Sequence, residues 1–120
     1  MAFRELSPAK QEQILRLRQL EQTIQNLRLQ LGEISRTLSE IEMTKKELQK
    51  LDSNTEVWKN VGSVMFPKRA TEVLKELEDR KELLELKQKS FTSQEAQNMK
   101  RLEELQSRLS EQLGNSQPTN

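Results

Sequence analysis

Three places in this 120-residue chain gather side chains capable of chemistry: the run Phe66-Pro67-Lys68-Arg69-Ala70 with Lys59 upstream, and the acid pairs Glu76/Glu78 and Glu103/Glu104. Clustered cations can hold a phosphate, and paired carboxylates can act as general acid and base. Neither pattern reaches that chemistry here. The cationic run lacks the glycines of a phosphate loop, and it reads as the polar flank of a neighbouring strand pair. The acid pairs sit in Glu/Lys/Leu-rich surroundings and read as solvated helix faces. The chain has neither His nor Cys, which excludes His acid-base chemistry, disulfides and zinc sites of the Cys/His type. No catalytic, cofactor-binding or metal-ligating residue is assigned, and no enzyme is expected.

Composition narrows the class further. Lys and Arg number 20 against 19 Asp and Glu, a balance that argues against nucleic acid or an anionic membrane as partner. Hydrophobic residues make up 32% and charged residues 32%, poor material for one compact core but ordinary for coiled coils. The N-terminal MAFRELSPAK holds no apolar run to serve as a signal peptide, and no segment could span a bilayer. A soluble, cytoplasmic chain is expected, and the lack of Cys fits a reducing compartment.

The elements behind these residues are two heptad arms. In the first, Leu17, Ile24, Leu31 and Leu38 take position a, and Leu20, Leu27, Ile34, Ile41 and Leu48 take d, with Lys45 as a polar intrusion. Such a stripe must press against a partner helix. Ser7-Pro8 is a start signal and residues 52–54 (DSN) a stop, giving a helix over about 8–52. The second arm runs from about 69 to 113. Its frame holds Leu74, Leu77, Leu84, Phe91, Leu102, Leu105 and Leu109, with Lys81, Gln88, Glu95 and Asn98 also on the seam. These polar seam residues mark either a loosely packed, register-setting coil or a weak, flexible arm. Residues 92–95 (TSQE) mimic a capping box, but the unbroken frame predicts continuation. Gly114 is placed for a C-cap before a flexible tail over 114–120.

The arms match in length, about 45 Å each at ~1.5 Å per residue. The short connector lets them pair antiparallel, with Leu48 opposite Leu74, Leu31 opposite Phe91 and Leu17 opposite Leu105. Gly32, off the seam, either makes room for Phe91 or is merely tolerated at a cost of about 1 kcal/mol.

Between the arms stands EVWKNVGSVMF, residues 56–66, with the only Trp. It reads as a β-hairpin over about 55–67, turning at Gly62-Ser63 and closed by Pro67. Val57 and Val61 point to one face and Trp58 to the other; Val64 and Phe66 share a face, with Met65 opposite. A lone two-stranded hairpin is marginal in water, and this one carries apolar side chains on both faces and unpaired edges. It therefore has to meet hairpins from other chains. Val57, Trp58, Val61, Gly62, Val64, Met65 and Phe66 are the assembly residues.

With the segment VWKNVGSVMF between matched helices, and EVLKELEDRKELLE opening the second, the chain resembles prefoldin subunits of the beta class. The aromatic-Lys-x-hydrophobic-Gly core of that family is here Trp58-Lys59-Asn60-Val61-Gly62, with Trp where Tyr is common. Room for a single hairpin points to the beta class. The resemblance implies a single prefoldin-like domain over 1–120, mostly α: an antiparallel two-helix coiled coil whose hairpin oligomerises into a β-barrel platform. It further implies a hexamer with alpha-class and other beta-class subunits. That hexamer would capture unfolded clients without ATP and pass them to a group II chaperonin.

A structural scaffold or tether is the alternative, and the far end of the coil separates the two. Extending the frame puts Lys10 at a and Gln13 at d, facing Leu109 at a and Gln112 at d, so the apolar match is lost there. Phe3, Leu6, Ile14, Leu15, Leu109 and Leu113 are the expected client-binding tip residues, loosely held and adaptable.

Overall fold

The computed structural model describes the backbone of residues 2–116 and the side chains of residues 2–112. A 3-10 turn, Phe3–Glu5, precedes α1 (Pro8–Gln49); then come β1 (Glu56–Val61), β2 (Val64–Arg69) and α2 (Ala70–Ser116). Two long helices flanking an antiparallel hairpin is the architecture expected from the heptads and the Gly-Ser turn.

Helix α1 starts where Ser7-Pro8 predicts. The Ser7 hydroxyl accepts a hydrogen bond from the Lys10 backbone N–H at 3.2 Å, satisfying one of the free donors of the first turn. The helix ends at Gln49, short of the expected 52, where the Lys50 and Leu51 N–H groups tighten onto the carbonyls of Glu47 and Leu48. The DSN segment then does more than stop a helix. The Ser53 carbonyl accepts from the Thr71 hydroxyl at 3.2 Å, tying the connector to the first turn of α2. Helix α2 passes through Thr92–Glu95 unbroken and continues past Gly114 to Ser116. Gly114 is therefore not the C-cap expected of it. Of the expected tail, residues 117–120 lie outside the described residues.

The chain divides into two compact units, Gly32–Lys89 and a second made of Met1–Leu31 with Ser90–Asn120. In the first, the buried side chains are Ile34, Ile41, Leu48 and Ala70; in the second, Ile24, Leu27, Leu102, Leu105 and Leu109. Each large aliphatic removed from water contributes about 1.5–3 kcal/mol. Every a and d residue from Leu17 to Leu48 and from Leu74 to Leu109 is at least partly buried, polar members included. A Cβ added at Gly32 would meet no atom within 4 Å, so the space it leaves relieves no close contact.

The charged seam residues Lys45, Lys81 and Glu95 are paired. In the hairpin-bearing unit, Lys45 Nζ lies 2.5 Å from Glu78 and Lys81 Nζ lies 2.8 Å from Glu42. The second is an ion pair by distance and not an aligned hydrogen bond. Moving from Glu42 to Lys45 on α1 means moving from Lys81 back to Glu78 on α2, so the helix segments are antiparallel. In the other unit, seam residue Glu95 receives the Arg28 guanidinium at 3.2 Å. In all three pairs an a-position charge meets a residue beside the opposing seam, a geometry that marks register.

Candidate assembly hairpin and distal tip

Strands β1 and β2 pair antiparallel, with Val61 opposite Val64, Lys59 opposite Phe66 and Trp58 opposite Pro67. Gly62 has φ of +61° and no other described residue has positive φ, the pattern of a two-residue turn with Gly in its first central position. Ser63 therefore needs no special backbone freedom, whereas any side chain at 62 would be strained.

Residues directly opposite share a face. One face carries Val57, Lys59, Val61, Val64, Phe66 and Lys68; the other carries Trp58, Asn60, Met65 and Pro67 between Glu56 and Arg69. This agrees with the alternation expected for Val57, Trp58, Val61, Val64, Met65 and Phe66. Trp58 is 60% exposed and Phe66 46%, and Val61, Val64 and Met65 are also exposed. Of the apolar strand residues, only Val57 is half-buried. Apolar side chains thus face water on both sides of a two-stranded sheet, an arrangement that solvent does not favour.

Position Pro67 corrects the sequence expectation. It does not close β2, which runs on to Arg69; it sits inside the strand, opposite Trp58. The register explains how a residue without an N–H is tolerated. The Val61–Val64 pair closes the turn and is hydrogen-bonded, and bonding pairs alternate from there. Ala70 N–H donates to Thr55 C=O at 2.8 Å, which confirms the phase. Pro67 falls on a pair whose backbone groups point outward, so the hairpin loses no bond.

The charged groups also correct the sequence expectation. Glu76 is no idle solvated acid: Lys59 Nζ donates to it at 2.7 Å, and Lys68 binds its other carboxylate oxygen. One α2 carboxylate therefore takes a lysine from each strand and anchors the hairpin. Lys59 beside it, then Lys68, holds the Glu76 carboxyl below its ordinary range, and Glu76 in turn raises Lys68. Glu78 is likewise lowered by Lys45, and Glu42 by Lys81. Spacing alone could not reveal these partners, which stand 8 residues apart for Lys68 and Glu76, 17 for Lys59 and Glu76 and 33 for Lys45 and Glu78. Among the described residues no group of His, Cys, Asp or Glu could hold a metal ion. Nor, among the described residues, is any helix long and apolar enough to cross a membrane.

At the distal tip the expected residues divide. Leu15 is 49% exposed, and Leu6 and Ile14 are half-buried. Phe3 is exposed but not loose; its ring lies 5.9 Å beneath the Arg18 guanidinium. Leu109 is a correction. It is buried to 6% exposure in the seam and offers no surface. The Leu113 side chain lies outside the described residues. Gln13 Oε1, on a polar side chain at a d position, is buried without a hydrogen-bond partner among the described residues, an exception to the usual pairing of buried polar groups. Large exposed apolar side chains are not confined to the tip, since Leu29, Met43, Leu83 and Leu86 also face water off the seam. Reading the a/d frame alone passes over them.

Comparison with known proteins agrees with this architecture. The family model described as prefoldin subunit matches residues 11–116. The prefoldin subunit beta of Saccharolobus islandicus (strain L.S.2.15 / Lassen #1) is 36% identical over 113 residues, 94% of this chain and 90% of that protein. That of Methanosarcina acetivorans is 34% identical over 110 residues, 92% of this chain and 94% of the relative. In fold, the chain matches the crystal structure of the prefoldin beta subunit from Thermococcus strain KS-1, with a TM-score of 0.78 over 95% of this chain and 98% of that one, at 23% identity. A heptad-patterned helix on either side of one hairpin, with sequence relatedness across nearly the whole length, places this chain in the prefoldin family of chaperone subunits.

Proposed function

We propose that the chain is one subunit of a hexameric, ATP-independent holdase. Its hairpin joins the hairpins of alpha-class and other beta-class subunits in a β-barrel platform. The arms hold unfolded clients near their tips and release them to a group II chaperonin in the cytoplasm. Neither nucleic acid nor membrane is a partner in this reading.

One observation carries it: Trp58, Val61, Val64, Met65 and Phe66 stand exposed on both faces of a hairpin that has no third strand among the described residues. A hairpin kept only as a connector between helices gains nothing from five such side chains, whereas a barrel buries them. Exposed Leu15 with Phe3 and half-buried Leu6 supports client capture at the tip. The scaffold alternative shares the hairpin but not that patch.

Native mass spectrometry tests the assembly, with the chain alone and mixed with an alpha-class prefoldin subunit. A defined hexamer is expected in the mixture. Phe66→Asp, which would bury a charge at a cost of several kcal/mol, is expected to stay helical and fail to join. Normal assembly of Phe66→Asp overturns the barrel reading. Protection of a denatured client from aggregation, equal with and without ATP, separates holdase from scaffold; no protection by the intact hexamer favours the scaffold.

A further inference from the structure

The two outer edges of the hairpin are not equivalent. Where a pair is not hydrogen-bonded within the hairpin, its N–H and C=O groups point away from the partner strand. With the phase set by Val61–Val64 and by the Ala70-to-Thr55 bond, the outward residues are Glu56, Trp58 and Asn60 on β1 and Met65, Pro67 and Arg69 on β2. The β1 edge thus offers three N–H donors at alternate residues, a complete template for another strand. The β2 edge lacks its middle donor because Pro67 stands there. Among the described residues the sheet has only these two strands, so neither edge is paired with a third strand.

We propose that β1 is the main-chain docking edge of this subunit, and that it takes an extended hairpin strand of a second prefoldin subunit. Pro67 limits the β2 edge to a joint with broken hydrogen bonding, held by side chains. This rests on the barrel reading and refines it: the two joints that this hairpin makes are unequal, and the one along Glu56, Trp58 and Asn60 dominates. The chemistry selects the occupant. Three evenly spaced donors and their carbonyls match an extended backbone and not a helix, whose own groups are satisfied internally. Pro67 has a second effect. A hairpin with two complete edges can propagate strand pairing from chain to chain, and a proline on one edge prevents it.

Asn60 and Met65 are direct cross-strand neighbours whose N–H groups point to opposite edges, which makes them a matched pair for the test. Proline at either position deletes one outward donor and no bond inside the hairpin; alanine at the same position deletes the side chain alone. Each variant is mixed with an alpha-class subunit, and the concentration for half-assembly is read by native mass spectrometry. Asn60→Pro is expected to need about tenfold more protein than Asn60→Ala, the effect of one lost ladder bond. Met65→Pro is expected to match Met65→Ala. Equal proline-to-alanine ratios at the two positions, or a larger one at 65, overturn the proposal. If amide spectra of Asn60→Pro alone show that the hairpin has opened, Glu56→Pro against Glu56→Ala replaces it on the same edge. The barrel reading fails separately, through normal assembly of Phe66→Asp. The edge assignment fails even when Phe66→Asp blocks assembly, if the proline ratios do not differ.

Discussion

Lys45 of α1 reaches Glu78 of α2 at 2.5 Å from a seam position where its side chain is only 15% exposed. The reverse pair, Lys81 with Glu42, closes at 2.8 Å three residues along each helix. Substituting a leucine would bury more apolar surface, so the arrangement is better explained by register than by stability. Slipping one helix against the other would leave a partly buried ammonium without its carboxylate, and an unpaired charge costs more than a well-made pair gains.

Single charge reversal should therefore be worse than double. Lys45→Glu and Glu78→Lys are each expected to lower the melting temperature by several degrees, and the combined swap to recover most of the loss. The comparison is a double-mutant cycle followed by circular dichroism. Additive losses in the double variant would show that the pair is not coupled.

Acid should loosen the arms and the hairpin anchor together. Glu42, Glu76 and Glu78 all titrate below their ordinary value of 4.5 because lysines favour their charged form. Their contribution is complete above pH 4.5 and disappears as pH falls through the lowered values. Lys68 and Lys81 are raised above 10.5, so theirs is complete below that pH and disappears as pH rises through the raised values. Thermal stability should form a plateau between these limits and shrink in high salt. Glu76→Gln is expected to flatten the acid limb, most clearly in amide signals of Lys59 and Lys68; an unchanged limb there would remove Glu76 from the anchor.

At the tip, Gln13 is a removable defect. Its buried Oε1 has no partner among the described residues, and leaving such a group unsatisfied costs about 1–3 kcal/mol. Gln13→Leu is expected to raise stability by about 1 kcal/mol and slow amide exchange in the first turns of α1. Faster exchange in the variant would mean that the polar group is needed where it is.

Client protection should respond to exposed Phe3 and Leu15 and half-buried Leu6 at the tip and not to buried Leu109. Phe3→Ser, Leu6→Ser and Leu15→Ser combined are expected to reduce suppression of client aggregation several-fold with assembly unchanged. Protection that survives this triple substitution but falls on replacing Leu83 and Leu86, exposed elsewhere on α2, would move the client site off the tip.

What the chain determined by itself is what its local spacing encodes. Alternating intervals of three and four define a helix stripe without reference to any other segment, so the a and d residues from Leu17 to Leu48 are found buried or half-buried. Gly62-Ser63 between two β-rich runs specifies a turn for the same reason, and the faces of Trp58 and Phe66 follow from alternation. The tertiary structure decided whatever depends on register between distant segments. Glu76 holds Lys59 and Lys68 only because the hairpin folds down on α2, and Lys45 finds Glu78 only once the helices are aligned. Leu109, expected at the surface of a fraying end, is instead covered because the seam packs as far as its position. Pro67 is the sharpest case. Whether a strand tolerates proline depends on which way its missing N–H points, and that is set by the pairing of Val61 with Val64 across the turn.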